Sequence, residues 1–567
     1  MGIRSVGVKR SALVALFFVF AVASGAPSSH AERPLVFAIE GARIIPAPGQ
    51  EIVDGTVVIR DGLIVAVGSG VTIPSDAVVI EGEGLWVYAG LIDPLLDLAL
   101  ESAGQASPAP GGGRLSRGGA AESARPGAVH PLTRVHPEDR AVDHLLPISG
   151  DRKRQVERYR ELGFTAGLVA PRSGIFRGSS SVVLLQDDSS VAEMVVADNI
   201  AQHLAFERGR FGEGYPTSLM GAVATQRQVL LDAQRHAVWA ERYEADPRGM
   251  QRPDSAPSFE ALAELISGDQ PAIFHATSPY DVVLADRVAD EFGLHAFVVA
   301  SGHEWEIADQ VAATDRALIL PIAFPKKPQV GDDDETLDVT IKDMRRYLEA
   351  PSAAVQLHEA GVVFALTTDG MSTLTDFTKN IGKMIEAGLS EDSALAALTT
   401  VPAGMLGIER VAGTLETGKI ANLAVFDGPI FDQDTTTRRV FVDGVEYEME
   451  EKKRPQGGDP EAVVDPRGEW AVVFDLPGRS IDRHWNIEGE GVSFSGTAET
   501  RSGTVSFEDV SLEGNMLTVV FPAEGGRGAM ELTVVITGDN FEGSAEFGPR
   551  TVAVTGTRTS SPEGGAQ

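Results

Sequence analysis

The stretch WVYAGLIDPLLD, Trp86 to Asp97, is where the chain changes from one kind of structure to another. A β-branched and aromatic run closes at Ala89-Gly90, and the apolar pair Leu91-Ile92 then leads straight into Asp93. Upstream, residues 35 to 90 are short β-rich runs, among them Val36–Ile39, Thr56–Arg60 and Leu63–Val67, with Asp61-Gly62 as a hairpin signal. Downstream, residues 101 to 150 hold Gly111–Gly113, Gly118-Gly119 and several prolines with little periodicity, an irregular insertion. From residue 151 helical and apolar runs alternate. Helices are expected over 152–162, 259–266, 282–292, 305–313, 344–360, 381–387 and 392–398. Strands are expected over 164–170, 272–274, 295–300, 317–322 and 362–366. Strands this apolar, separated by helices, require a parallel sheet covered on its outside, and about eight such units favour a (β/α)8 TIM-like barrel over an open sheet.

The flanks define the remaining organisation. Residues 411 to 448 return to β character, with Asp443-Gly444 as a second hairpin signal. A charged, proline-containing linker covers 449–466. Residues 467–560 then hold short strands at regular spacing, a separate all-β barrel or sandwich. At the other end, Arg4, Lys9 and Arg10 precede an apolar run from Ala12 to Ala23 and a small-x-small site at Ser29-His30-Ala31. This pattern predicts a Sec-type signal peptide over residues 1–31, and a periplasmic or secreted protein with no stable membrane insertion after cleavage, with an uncleaved anchor as the alternative. The absence of cysteine excludes disulfides and thiolate metal sites. A formal charge of -33 argues against nucleic acid as a partner.

In such a barrel the chemistry lies at the carboxyl ends of the strands. Polar residues there are Asp93 and Asp97 after Leu91-Ile92, His275 after 272–274, His303 beyond 297–300, and Asp369 beyond 364–366. Two imidazoles with one or two carboxylates suit a divalent, zinc-like ion, and Asp369 is equally a general base for a bound water. Plainer readings stand beside these. A histidine after an apolar strand is commonly a hydrogen-bonded structural residue, and Asp93 ahead of Pro94 serves as a turn cap. His130, His136 and His144 are assigned solvated or structural roles. No Gly-x-Ser-x-Gly occurs, so a serine hydrolase has no support.

Several motifs resemble the amidohydrolase superfamily, in its imidazolonepropionase-like and prolidase-like branch. They are GLWVYAGLID at 84–93, FHA at 274–276, TTDG at 367–370 and the long segment EAGLSEDSALAALTTVPAGMLGIERVAGTLETGKIANLAVFDG at 386–428. The resemblance covers about residues 36 to 448 and implies a metal-centred barrel, 91–410, set in a composite β-sandwich made of 35–90 and 411–448. It also implies hydrolysis of C–N bonds in non-peptide amides, cyclic amides or dipeptides. The family's first-strand His-x-His falls on Leu95 and Asp97, so one ligand is lost. The bridging lysine of the fourth strand is missing too, since no lysine occurs between Lys153 and Lys326. The implied centre is therefore one ion, zinc before other metals, held by His275, His303, Asp369 and Asp97, with an ion-free site as the alternative. The segments 163–185 and 214–233 resemble a secreted subgroup whose first-strand histidines are commonly replaced; there Arg172, Arg177, Tyr215 and Arg227 are candidates to face a small-molecule substrate, with surface or structural roles the default for each. Two functions follow: an exported hydrolase using a metal-activated water, or a silent barrel kept for binding, as a homo-oligomer or beside an active relative.

Overall fold

The computed structural model of the 567-residue chain describes residues 36–98, 100, 130–132, 134–187, 189–209, 215–325, 328, 339–371, 373–374, 376–433, 435–449, 458–459, 462–476, 479–490, 493–500, 503–507, 509–521, 530–547 and 550–560. The signal peptide read over 1–31 and most of the 101–150 insertion lie outside them.

Segments more than three hundred residues apart build one sheet. Its strands run Val445–Glu448, Thr437–Val442, Leu423–Phe426, Trp86–Ala89, Val36–Ile45, Ile52–Arg60 and Leu63–Gly68, with Val78–Glu81 also on Val36–Ile45. Trp86–Ala89 is the join, parallel to Val36–Ile45 on one side and antiparallel to Leu423–Phe426 on the other. Both hairpin signals form tight turns, with positive φ at Asp61 and Gly62 and again at Asp443 and Gly444, the pattern of a type I′ turn. Alternate residues of these strands, including Phe37, Ile39, Val57, Ile59, Val87, Leu423 and Phe441, make a core of their own.

The mixed α/β region follows the chain in order. Leu91–Asp93 pairs in parallel with Phe164–Val169, which pairs antiparallel with Ser181–Leu184. The run continues backwards through Ser180 into Phe176–Ser179, which lies antiparallel to Gln202–Ala205. From there Gln202–Ala205, Ala272–His275, Ala296–Val299, Leu318–Pro321 and Phe364–Thr367 are parallel neighbours. The all-parallel expectation is thus corrected at 176–184, where the chain turns back within a few residues and a parallel crossover has no room. These strands fall into a four-stranded and a six-stranded sheet, and among the described residues no ladder joins Phe364–Thr367 to Leu91–Asp93. Their inner and outer faces are both apolar and feed one large core with the covering helices.

The helices differ in detail from the sequence expectations. The 344–360 helix is broken into Ile341–Glu349, a 3-10 turn at Ala350–Ser352 and Ala353–Glu359, with Pro351 inside the turn. The 259–266 helix is likewise two short pieces, Pro257–Glu260 and Ala263–Ser267. A 27-residue helix, Leu219–Ala245, has only a narrow buried face, and its weak apolar periodicity hides it in the sequence. The C-terminal unit is one nine-stranded antiparallel sheet, from Gly468–Leu476 to Arg550–Ser560, that curls so Ser493–Thr500 lies against Asp509–Glu513. Trp470, Trp485, Leu517 and Phe541 fill its concave face.

Candidate active site

Asp93 ends the strand of the opening motif, and its carboxylate is completely buried. Oδ1 accepts from Leu95 N at 3.0 Å and Thr367 Oγ1 at 2.6 Å; Oδ2 accepts from Thr368 N at 3.1 Å and Thr368 Oγ1 at 2.5 Å. Burial pushes this carboxyl above its usual range, against the pull of the four donors. The side chain therefore stitches Leu91–Asp93 to Phe364–Thr367 where no backbone ladder does. Its turn-cap reading extends to a strand clamp, and its lone pairs are committed to that role.

The same two strand ends deliver Asp97 and Asp369, and a guanidinium lies between them. Arg172, two residues beyond Ala170, ion-pairs with Asp369 Oδ1 through Nη1. Its Nη2 sits 3.4 Å from Asp97 Oδ1 and donates to Leu96 O at 3.1 Å. Burial opposes charge on Arg172, but Asp369 and Asp97 outweigh it and its pKa is raised. Asp97 is the most open member, with 69% of its side chain exposed, against 43% for Arg172 and 25% for Asp369.

The strand that follows Arg172 carries a second cation. Arg177, on Phe176–Ser179, is mostly buried; Nε donates to Gly174 O at 3.4 Å and Nη2 is 4.0 Å from Glu207 Oε2. Burial brings its pKa down to about 10, with Glu207 pulling the other way and Arg172 adding repulsion. Glu207 also accepts from Gly174 N at 2.8 Å and pairs with Arg134, which pins the loop carrying both arginines.

His275 does end Ala272–His275, but its partner is an imidazole. His203 Nδ1 and His275 Nε2 are 2.8 Å apart, one of them donating. The parallel register sets His203 opposite Ile273 and Ala205 opposite His275, so both rings stand on the same face, one layer apart. Burial, then Arg177 and Arg172, hold the His203 pKa at about 3, and the same causes with His203 itself lower that of His275. Both rings are neutral at pH 7. Among the described residues His203 Nε2 is buried without a hydrogen-bond partner.

The remaining candidates are dispersed. His303 caps the 3-10 turn Glu304–Ile307, and its charged neighbours are Arg346, Glu306 and Lys342, not the two arginines that surround His275. Tyr215 is exposed, donating to Gly221 O at 3.3 Å, and Arg227 pairs with Glu291. His130, His136 and His144 have local partners, respectively Leu132 N, Glu138 and Asp139. A groove of about 680 Å³ between Glu40, Arg43, Asp54 and Trp86 opens on the β unit, and none of Asp93, Asp97, His275, His303 and Asp369 lines it.

Among the described residues no three His, Asp or Glu side chains come together as metal ligands. The four side chains expected around one ion do not fit it. Arg172 fills the space between two of them, His203 engages the third, and His303 turns to another set of charges. His203 and Glu207 escape a sequence reading because the strand Gln202–Ala205 is four residues long and holds only two aliphatic residues. The signal that remains is His203 itself, polar at an inward position of the strand before Ala272–His275.

Comparison with known proteins bears on this geometry. Residues 336–447 match the sequence model of the amidohydrolase family. The dihydroorotase of Anaeromyxobacter dehalogenans (strain 2CP-C) is 29% identical over 413 residues, 69% of this chain and 88% of that protein. The dihydroorotase of Anaeromyxobacter sp. (strain K) is 28% identical over the same length and coverage. Among solved structures, an amidohydrolase from Thermotoga maritima MSB8 superposes with a TM-score of 0.57 at 22% identity, covering 73% of this chain and all of that one. That last likeness shows the fold.

Proposed function

We propose that this chain, an amidohydrolase relative, is an exported hydrolase that cleaves a C–N bond in a small amide, cyclic amide or dipeptide. The observation that carries the proposal is the convergence of Asp97, Asp369 and Arg172 beyond the carboxyl ends of the strands. On this reading the two sheets are one eight-stranded barrel, with its third strand reversed and its seam held by Asp93. Asp369 takes a proton from the attacking water as the O–C bond forms and returns it to nitrogen as the C–N bond breaks. The carboxylate is regenerated and no further reactant is consumed. Arg172 and Arg177 offer N–H donors to the oxygen that gains negative charge. The basic start and apolar run at residues 4–23 support export.

The second reading, a binding protein without turnover, is favoured by the Arg172–Asp369 pair, because the guanidinium occupies the carboxylate oxygen that an attacking water would approach. A panel of cyclic amides, N-acyl amino acids and dipeptides separates the two, with dihydroorotate first because dihydroorotases are among the similar proteins. Product formation by mass spectrometry that falls about 10²-fold or more in Asp369→Asn supports the hydrolase. Compounds that raise the melting temperature but are never converted support the binding protein and end the hydrolase reading.

A further inference from the structure

We propose that the Arg172 guanidinium replaces the metal ion of this site, so that the pocket works as a metal-independent centre with a built-in organic cation. The proposal rests on the pocket being the substrate site and goes beyond it by assigning its cation. Four observations lead to it. The guanidinium touches both carboxylates that the resemblance gives to the ion, Asp97 and Asp369, and also Leu96 O. A planar fork with several donors suits two carboxylates and a carbonyl lying in different directions. Leu95, at the position of a lost imidazole, is only 2% exposed and packs into the core, so it cannot swing away to admit a water ligand in its place. His275, the imidazole expected to hold the ion, is instead hydrogen-bonded to His203.

Charge points the same way. Arg177 is near enough to Arg172 for the two charges to repel, so a divalent cation entering between Asp97 and Asp369 is opposed by both guanidiniums. It also has to displace one of them from both carboxylates. The loop that carries Arg172 is not free to withdraw. Ile175 N donates to Arg134 O at 2.7 Å, Ala205 N donates to Ile175 O at 2.9 Å, and Gly174 N donates to Glu207. The loop is therefore pinned two and three residues beyond Arg172.

The test needs no substrate. Full-length protein produced with added zinc, manganese and iron is passed through gel filtration without chelator, and its metal is measured by plasma mass spectrometry. Fewer than about 0.1 equivalents of any divalent ion is expected. Neither zinc chloride, manganese chloride nor EDTA should move its melting temperature. Arg172→Gln leaves two carboxylates without their cation, so this variant should gain a melting-temperature rise with zinc or manganese that the wild type lacks. Arg172→Lys keeps the charge and should stay indifferent to both ions; it remains informative if the glutamine variant fails to fold. An equivalent of metal retained by the wild type overturns the proposal. So does a well-folded Arg172→Gln that ignores both ions, or an Arg172→Lys that binds them. Turnover on the amide panel is a separate readout: its absence ends the hydrolase reading and leaves the metal result standing.

Discussion

At the scale of the residue, two buried polar groups show how differently a strand end can be used. Asp93 gathers four donors from two strands, and its value is structural. Charge-assisted bonds of this kind are worth about 1.5–3 kcal/mol each when a buried partner is deleted. By contrast the Arg172–Asp97 contact is long and largely exposed, in the class worth about 0–1 kcal/mol to stability, so its importance lies in what it excludes from the pocket. His203 carries a pH dependence. Its pKa is about 3 in the fold against an ordinary 6.5, so between those values the unfolded chain binds more protons than the native one. Its contribution is fully present above pH 6.5 and is lost progressively as the pH falls toward 3. His275 acts in the same direction. His203→Leu should therefore lose less stability than wild type between pH 7 and pH 5 in denaturant titrations. Parallel losses in the two proteins would falsify this assignment.

Elements made the fold legible and hid the site. The strands 272–275, 296–299 and 318–321 stand out because burial on both faces leaves them apolar, with His275 the one polar residue, at a strand end. The seam between first and last strands could not be read, since it is made by side chains 274 and 275 residues apart in sequence. Nor could the role of Arg172, whose partner Asp369 is 197 residues away. The motif AGLID is a different case, because the glycine has a local reason. Gly90 links Trp86–Ala89 to Leu91–Asp93, and its N–H donates to Asn422 O at 2.9 Å. A Cβ there would stand 2.2 Å from Thr165 Oγ1 and 2.3 Å from Thr165 Cγ2, and Thr165 is fully buried. Gly90→Ala should cost about 1–3 kcal/mol by overpacking at the join of the two sheets. Thr165→Ala in the same chain should return much of that loss, giving a coupling energy in a double-mutant cycle. Simple additivity of the two changes would show that the join tolerates a side chain and that the close approach is not what keeps glycine there.

The whole molecule divides its stability unevenly. The composite β sheet and the mixed α/β region are held together by chain continuity at Gly90 and by Leu423–Phe426 returning beside Trp86–Ala89, so neither can be removed without opening the other. The C-terminal sheet is different: its core of Trp470, Trp485, Phe541 and their neighbours is separate from the other two. Trp485 stacks on Phe541 at 5.5 Å and meets Phe507 and Phe521 edge-on, while its indole N–H is buried without a partner among the described residues. Its contribution is therefore apolar packing, and Trp485→Ala should cost the sheet about 3–5 kcal/mol. With separate cores, that loss stays within residues 458–560. Calorimetry of the wild type should show two transitions, of which Trp485→Ala lowers one, and ligand binding at the strand-end pocket should be unaltered. A single transition that moves as a whole, or a pocket weakened by the same change, would mean that the C-terminal sheet is part of the site's scaffold after all.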